Sequence, residues 1–152
     1  MRKEQEMRGY LRSVSKQDMD FLFKLANDKK VRQNSFSTKE IMYDEHIKWF
    51  SAVFDREDYK QYIYILDGKP IGQVHLEMCG SKAEIGYSIC EEYRGQGLGK
   101  ELISLVQLQV KKDFPYIETL TAKVKPENNI SQKVFEAEGF QKKCYVYEWN
   151  CY

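Results

Sequence analysis

The chain has 152 residues, with 24 basic and 23 acidic side chains and a formal net charge of +1. At about 150 residues per domain, this length predicts a single domain over residues 1–152, long enough to bury a full hydrophobic core. The balanced charge argues against nucleic-acid binding by bulk electrostatics and gives no reason to expect a membrane surface as partner. A hydrophobic content of 42% and a charged content of 31% are typical of a folded protein, not a disordered one.

The first third of the chain predicts one short strand and two helices. Residues 10–14 read as the strand, and residues 16–27 as a helix with Met19, Leu22 and Phe23 at helical spacing. Residues 29–37 are polar and are predicted to be irregular. Residues 44–54 predict the second helix.

The hydrophobic period then changes to that of strands. Strands are predicted over residues 61–66, 70–78, 83–90, 118–124 and 143–149, and further helices over residues 98–112 and 128–138. Asp67-Gly68 is a hairpin signal between the first two of these strands. Strands joined by hairpins and then by crossover helices predict an α/β fold whose central mixed sheet is mostly antiparallel, with helices on both faces.

The N-terminus and the cysteines indicate the cellular location. Residues 1–12 carry positive charge but lack the apolar run of a signal peptide, and no stretch approaches the roughly 18 apolar residues of a membrane span. The four cysteines are Cys79, Cys90, Cys144 and Cys151; they form no C-x-x-C pair, and no His stands at zinc-ligand spacing from them. We therefore expect reduced thiols in a cytoplasmic protein, and no metal site.

A glycine-rich loop precedes the helix predicted over residues 98–112. Residues 94–99 read Arg-Gly-Gln-Gly-Leu-Gly, followed by Lys100. The dinucleotide fingerprint G-x-G-x-x-G fails because position 100 is Lys, and the P-loop pattern fails because positions 94 and 101 are Arg and Glu. Glycines still let the backbone approach a ligand closely, and the amides at a helix N-terminus bind anions. The loop therefore predicts a pyrophosphate site, the alternative being a plain strand-to-helix turn.

This loop resembles the acetyl-CoA loop of the GNAT superfamily of N-acetyltransferases, [Arg/Gln]-x-x-Gly-x-[Gly/Ala], at every defined position. A second segment agrees: residues 128–140 are similar to the family's N-x-x-[A/S]-x-x-x-[Y/F]-E-x-x-G-F helix. The resemblance is specific in residues 83–100 and 124–140 and covers the whole chain in element order. It implies the GNAT fold and acetyl-CoA as cosubstrate.

The resemblance also implies which residues hold the cofactor. The pyrophosphate would lie on the loop backbone, formed by Arg94, Gly95, Gln96, Gly97, Leu98, Gly99 and Lys100. Ile89 and Cys90 match positions whose backbone pairs with the pantetheine arm, and Asn128 and Ser131 match positions that touch that arm. For Asn128, a simple helix N-cap is the alternative.

Acetyl transfer needs a base that deprotonates the amine, and the thiolate leaving group benefits from an acid. Glu84, ten residues before Arg94, is the predicted base, because some family members carry a Glu near this place and a desolvated carboxyl suits the role. Its alternative is an ordinary surface carboxylate. The family's usual acid is a Tyr, and here that position is Phe135. Tyr87, Tyr145, Tyr147, water and departure of the thiolate without any proton donor remain as alternatives, with Tyr87 taken as the candidate.

The acceptor region, residues 31–50, resembles that of bacterial N-acetyltransferases of nucleotide-linked amino sugars, of the pseudaminic acid pathway type. Arg32 would pair with a diphosphate, His46 would bond sugar hydroxyls, and Trp49 would stack on a sugar or base. The alternatives place Trp49 in the core and His46 on a helix surface, and His75 receives no role.

The predicted function is therefore an acetyl-CoA-dependent N-acetyltransferase in which a small-molecule amine, an amino sugar, attacks the thioester directly. A protein N-terminus or lysine is the alternative acceptor, and a non-catalytic acyl-CoA-binding module is the alternative of another class. The sequence leaves open whether the protein is a monomer or a homodimer.

Overall fold

The structure, a computed structural model, describes residues 6–152. Its strands are β1 (Tyr10–Ser13), β2 (Tyr59–Leu66), β3 (Lys69–Cys79), β4 (Lys82–Ile89) and β5 (Thr119–Thr121). Its α-helices are α1 (Met19–Ala26), α2 (Lys29–Asn34), α3 (Tyr43–Phe54), α4 (Leu98–Asp113) and α5 (Asn129–Ala137). None of these helices is both long and apolar enough to cross a lipid bilayer.

The five strands form one sheet in the order β1-β2-β3-β4-β5. The first three pairings are antiparallel and the β4–β5 pairing is parallel, which confirms the predicted mixed sheet. The β2–β3 hairpin turns at Asp67-Gly68, where both residues have positive φ (50° and 75°) and Leu66 pairs with Lys69. Asp-Gly favours this turn because glycine adopts positive φ without a Cβ clash.

Alternation along the strands divides the core between the two faces of the sheet. One face carries Tyr62 and Tyr64 of β2 and packs against α4 and α5; the other carries Ile63 and Ile65 and packs against α1 and α3. All four side chains are at most 4% exposed. Helices therefore cover both faces, as predicted.

Two segments differ from the sequence prediction. Residues 29–34, predicted to be irregular, form α2, because the Asp28 carboxylate accepts hydrogen bonds from the amides of Lys30 and Val31 and caps the helix. Residues 143–149, predicted to be the last strand, pair with none of the five strands and form no strand. Residues 141–152 are exposed throughout. The predicted strand 118–124 is also shorter, and β5 ends at Thr121.

Candidate active site

A gap in the sheet opens where β4 and β5 diverge. The two strands pair at only three positions, the last being Glu84 with Thr121, and β4 continues to Ile89 without its neighbour. The amide of Cys90 donates to the Ile71 carbonyl of β3, at 2.8 Å. Because backbone groups alternate in direction along a strand, those of Ile85, Tyr87 and Ile89 face the gap. At the predicted pantetheine contact, the amide of Ile89 is free among residues 6–152, whereas the Ile89 carbonyl accepts from Arg94 Nε and the Cys90 amide is bonded to β3.

The glycine-rich loop lies beyond the end of β4, at the start of α4. Gly95 and Gly97 have φ of 76° and 77°, the left-handed region that favours glycine, so the alternate glycines of the motif are required by the turn itself. Within residues 6–152, no protein acceptor takes the backbone N–H of any residue from 95 to 100. Six successive amides at a helix N-terminus make an anion site.

The side chain of Arg94 points away from this amide row. Its Nη2 donates to Asp28 Oδ1 at 2.6 Å, and its Nε donates to the Ile89 carbonyl at 3.0 Å. Burial opposes ionisation of Asp28, but the bonds from Arg94 and from the α2 amides outweigh it and lower the pKa of that carboxyl. Arg94 therefore ties α2 to the end of β4, and its positive charge is paired.

The second predicted cofactor segment lies across the gap, at the start of α5. Asn128 is the N-cap of α5, its Oδ1 accepting from the amide of Ser131 at 3.1 Å. The hydroxyl of Ser131 lies 2.9 Å from that of Tyr87, whose ring packs edge-on against Phe135 at 5.6 Å between centroids. Burial raises the pKa of Tyr87, partly offset by the bond with Ser131, so the phenol keeps its proton near neutral pH.

Glu84 lies at the point where β4 and β5 separate. Its side chain is 46% exposed, and its Oε2 lies 3.5 Å from Lys123 Nζ. Its neighbour across the β3–β4 pairing is Glu77. Glu84 therefore lies at the apex of the gap, but its carboxylate is not desolvated, as the prediction of a general base had assumed.

Arg32, the predicted diphosphate ligand, lies in α2 and is hydrogen-bonded to the end of α1 and to the loop that follows α2. Its Nε donates to the Ala26 carbonyl at 2.6 Å, and its Nη1 donates to the carbonyls of Ser37 and Lys39 at 3.1 and 3.3 Å. Its Nη2 donates to Ser35 Oγ at 3.3 Å. Four of the five guanidinium donors are used in this way, so the side chain shapes the loop between α2 and α3.

The predicted sugar-binding pair on α3 is divided between core and surface. His46 is 3% exposed, its Nε2 lies 2.9 Å from the Met19 carbonyl, and burial lowers its pKa. This placement corrects the prediction that His46 contacts sugar hydroxyls, and it also differs from the surface alternative. Trp49 is 41% exposed and stands edge-on to Tyr59, so it remains available to a ligand.

A polar row that sequence reasoning did not single out crosses the same face of the sheet. Gln61 Nε2 donates to Gln73 Oε1 at 2.9 Å, and Gln73 Nε2 donates to Ser88 Oγ at 3.0 Å. His75 Nδ1 lies 3.1 Å from Gln73 Oε1, and its ring stacks on Tyr59. This row could have been predicted from the sequence, because its polar residues stand at strand positions that face the helices, where the other residues are apolar.

The residues predicted to bind acetyl-CoA therefore surround one gap. The residues predicted to bind the acceptor, Arg32, His46 and Trp49, do not face a common site. Burial, together with the nearby Glu92, raises the pKa of the Cys90 thiol, which disfavours the nucleophilic thiolate. The donor side consists of an open strand edge, a row of free amides and a capped helix N-terminus. Such a set of groups suits an extended ligand with a pyrophosphate.

Comparison with known proteins agrees with this geometry. The sequence matches the acetyltransferase (GNAT) domain family over residues 8–141. The uncharacterized N-acetyltransferase YfmK of Bacillus subtilis (strain 168) is 29% identical over 94 residues, which span 61% of this chain and 62% of that relative's length.

Solved structures share the fold at low identity. Spermidine N-acetyltransferase from Vibrio cholerae, in complex with CoA and spermine, superposes with a TM-score of 0.82 at 20% identity, covering 91% of this chain and 84% of that one. The aminoglycoside acetyltransferase AAC(6')-Ib, in complex with paromomycin and acetyl-CoA, gives a TM-score of 0.79 at 19% identity, covering 91% and 85%. With the family match spanning most of the sequence, the chain belongs to the acetyltransferase (GNAT) domain family.

Proposed function

We propose that this protein is an acetyl-CoA-dependent N-acetyltransferase whose acceptor is an amino sugar. The observation that carries the donor half is the row of six unpaired amides at residues 95–100, next to the open edge of β4. The amides would hold the pyrophosphate and the β4 edge would pair with the pantetheine amides. The anion site lies next to the strand edge, just as the pyrophosphate of acetyl-CoA is joined to the pantetheine arm that carries the amides.

Acetyl-CoA supplies a thioester carbonyl, and the protein positions an amine against it. Because an amine attacks a thioester directly once deprotonated, no enzyme nucleophile is needed, and positioning supplies much of the rate. Glu84, at the apex of the gap, accepts the amine's proton directly or through water. Tyr87 is the proton donor to the leaving sulfur, because its hydroxyl stands at the α5 side of the gap and Phe135 has none to give.

The acceptor half is supported by two exposed aromatic side chains, one on α3 and one in the loop between α2 and α3. Trp49 and Phe36 are 41% and 70% exposed. Flat apolar rings beside polar groups suit the carbon–hydrogen faces and hydroxyls of a sugar. The complex of AAC(6')-Ib with paromomycin shows that this fold can hold an aminoglycoside. Because Arg32 is already bonded to its loop, we assign acceptor contacts to the amino sugar itself, free or nucleotide-linked.

The decisive experiment measures thiol release from acetyl-CoA with a panel of amines at equal concentration. The panel contains UDP-linked amino sugars, free amino sugars, paromomycin, spermidine and a peptide with a free N-terminus, with product masses confirming acetylation. We expect the highest kcat/KM for an amino-sugar compound. Faster turnover of the peptide or of spermidine would refute the acceptor class alone.

The same experiment tests the enzyme assignment. If acetyl-CoA binds in calorimetry but no amine on the panel releases thiol, the protein is an acyl-CoA-binding module and the transferase proposal is wrong. A cytoplasmic location, in keeping with four free cysteines, is part of the proposal.

A further inference from the structure

His75 lies on the sheet face that packs against α1 and α3, next to the point where β4 and β5 separate. The β3–β4 pairing places it opposite Gly86, with Glu84 and Ser88 to either side on the same face of β4. His75, Gly86 and Ser88 are only partly buried, and Glu84 is exposed. This part of the face is therefore accessible to a ligand, and it lies beside the gap proposed to hold acetyl-CoA.

Hydrogen bonds within the polar row fix which nitrogen of His75 carries the proton. Gln73 Oε1 accepts from Gln61 Nε2 at 2.9 Å, and Nδ1 of His75 lies 3.1 Å from the same oxygen. Gln73 Nε2 donates to Ser88 Oγ at 3.0 Å, which holds the Gln73 amide in this orientation. Because an amide oxygen only accepts, Nδ1 is the protonated nitrogen, and Nε2 of the neutral ring has a lone pair.

The Nε2 atom of His75 is available to a ligand. It has no hydrogen-bond partner among residues 6–152, and none of the fully buried side-chain nitrogens or oxygens of these residues lacks one, so Nε2 reaches solvent. Burial of the side chain lowers the pKa of His75 to about 4, which keeps the imidazole neutral near neutral pH. The face thus presents one oriented hydrogen-bond acceptor to a molecule that lies on it.

The imidazole ring is held in place from two sides. A Cβ added at Gly86 would stand 2.6 Å from Cε1 and 2.7 Å from Nε2 of His75, so only glycine lets this edge of the ring lie directly over the β4 backbone. The face of the ring stacks on Tyr59, with 5.9 Å between centroids and 16° between planes. A hydrogen-bond acceptor that is already oriented loses little entropy when a ligand binds.

Glu84 can reach the same point above Gly86. It is a diagonal cross-strand neighbour of His75, and such neighbours are about 7–8 Å apart, within reach of long side chains. The backbone groups of Tyr87, the residue after Gly86, face the gap. A small group over Gly86 is therefore within reach of the carboxylate, of Nε2 and of a ligand in the gap.

We propose that Nε2 of His75 accepts a hydrogen bond from the amine of the acceptor, while Glu84 takes the proton that this amine loses. The inference rests on the proposed transferase function, to which it adds a residue that binds the reacting nitrogen. A primary ammonium has three N–H groups. One proton passes to Glu84 and leaves the lone pair that attacks the thioester carbonyl, and one of the two remaining N–H groups donates to Nε2. These two contacts orient the lone pair toward the gap.

The test compares His75→Phe with His75→Gln. Phenylalanine keeps a ring that can stack on Tyr59 but has no acceptor atom, whereas the amide oxygen of glutamine lies as many bonds from Cα as Nε2 does and can accept. The substrate is the compound that the parent acetylates fastest among UDP-linked amino sugars, free amino sugars, paromomycin, spermidine and a peptide with a free N-terminus.

We expect kcat/KM for this amine to fall about tenfold in His75→Phe and to stay within about threefold of the parent in His75→Gln. KM for acetyl-CoA should stay within about twofold of the parent in both variants, because the lost contact is to the acceptor. Circular dichroism checks that each variant is folded, and His75→Leu, which also lacks an acceptor atom, replaces His75→Phe if the latter does not fold.

The outcomes separate this proposal from the proposed function. If the parent turns over an amine and His75→Phe leaves kcat/KM unchanged, the role of His75 is refuted and the transferase function stands. A loss in His75→Gln as large as that in His75→Phe also refutes it, because the ring would then act through packing. If the parent acetylates none of the amines, the transferase function is refuted, and the role of His75 with it.

Nitrogen NMR tests the same geometry in the parent protein. The chain has only two histidines, His46 and His75, so their imidazole nitrogens can be assigned with one variant. Near neutral pH, we expect Nδ1 of His75 to be protonated and Nε2 to be unprotonated. A proton on Nε2 would overturn the proposal, because this nitrogen would then have no lone pair to offer the amine.

Discussion

The glycine-rich loop allows a matched pair of substitutions, Gly97→Ala and Gly99→Ala. Gly97 has φ of 77°, where an added Cβ meets no atom within 4 Å but the backbone conformation itself is unfavourable for an L-residue. Gly99 lies in α4 with ordinary φ, and its added Cβ would meet Val134 at 3.4 Å and Tyr87 at 3.6 Å, which are normal contacts. The same methyl group is thus strained at one position and accommodated at the other.

The expected loss of acetyl-CoA affinity follows from the free-energy cost of the left-handed backbone conformation. That cost is about 1–2 kcal/mol for a residue with a Cβ. In the Gly97→Ala variant, the loop relieves the strain by turning its amides away from the arrangement that binds an anion, and ligand binding must restore it. The dissociation constant for acetyl-CoA should therefore rise about 5- to 30-fold for Gly97→Ala. For Gly99→Ala it should stay within about twofold.

Calorimetric titration with acetyl-CoA measures both constants, and circular dichroism checks that each variant is folded. Unchanged acetyl-CoA affinity in both variants would refute the reasoning, because binding would then not depend on the left-handed turn. The same loss of affinity in both would also refute it, since it would mean that any side chain in this loop blocks the ligand sterically.

Four further outcomes are expected. Glu84→Gln should lower kcat by about 100-fold or more and leave acetyl-CoA affinity unchanged; an identical pH–rate profile would make Glu84 structural. Tyr87→Phe should lower kcat at least about tenfold with little change in KM for acetyl-CoA, and equal rates would remove it as the acid. Arg32→Lys, which cannot fork to the carbonyls of Ser37 and Lys39, should raise KM for the acceptor alone; a rise in KM for acetyl-CoA instead would contradict the loop role. Burial lowers the pKa of His75 to about 4, so the unfolded chain binds its proton first as pH falls. The free energy of unfolding should then fall by about 3 kcal/mol between pH 6.5 and 4. When this free energy is measured by urea titration at several pH values, it should fall less steeply with decreasing pH in His75→Gln than in the parent.

What the sequence predicted well depends on local conformation or on strand alternation. The Asp67-Gly68 hairpin and the turns at Gly95 and Gly97 follow from the φ values that only certain residues adopt easily, so the motif alone located them. The division of β2 between two cores follows from side chains that alternate in direction. Neither requires knowledge of distant parts of the chain.

What the sequence could not predict depends on partners far along the chain. Asp28 and Arg94 are 66 positions apart, and the bond between them decides where the guanidinium of the glycine-rich loop points. The burial of His46 could not be predicted, because its helical position alone does not show that α1 covers it. The segment 143–149 has a strand's composition, but it pairs with none of the five strands, and composition does not show whether an edge is available.

The contacts of α2 connect the two halves of the proposed site. At its N-terminus, Asp28 binds Arg94 at 2.6 Å, and Arg94 in turn donates to the Ile89 carbonyl, at the end of the open β4 edge. Near its C-terminus, the Gln33 carbonyl accepts from Lys125 Nζ at 3.0 Å, in the chain that leaves β5. The helix therefore spans the mouth of the gap and is bonded to both of its sides. Because the same helix carries Arg32, which shapes the loop between α2 and α3, the geometry of that loop is fixed relative to the β4 edge proposed to hold acetyl-CoA. Positioning an amine against a thioester requires such a fixed relation between two separately bound ligands.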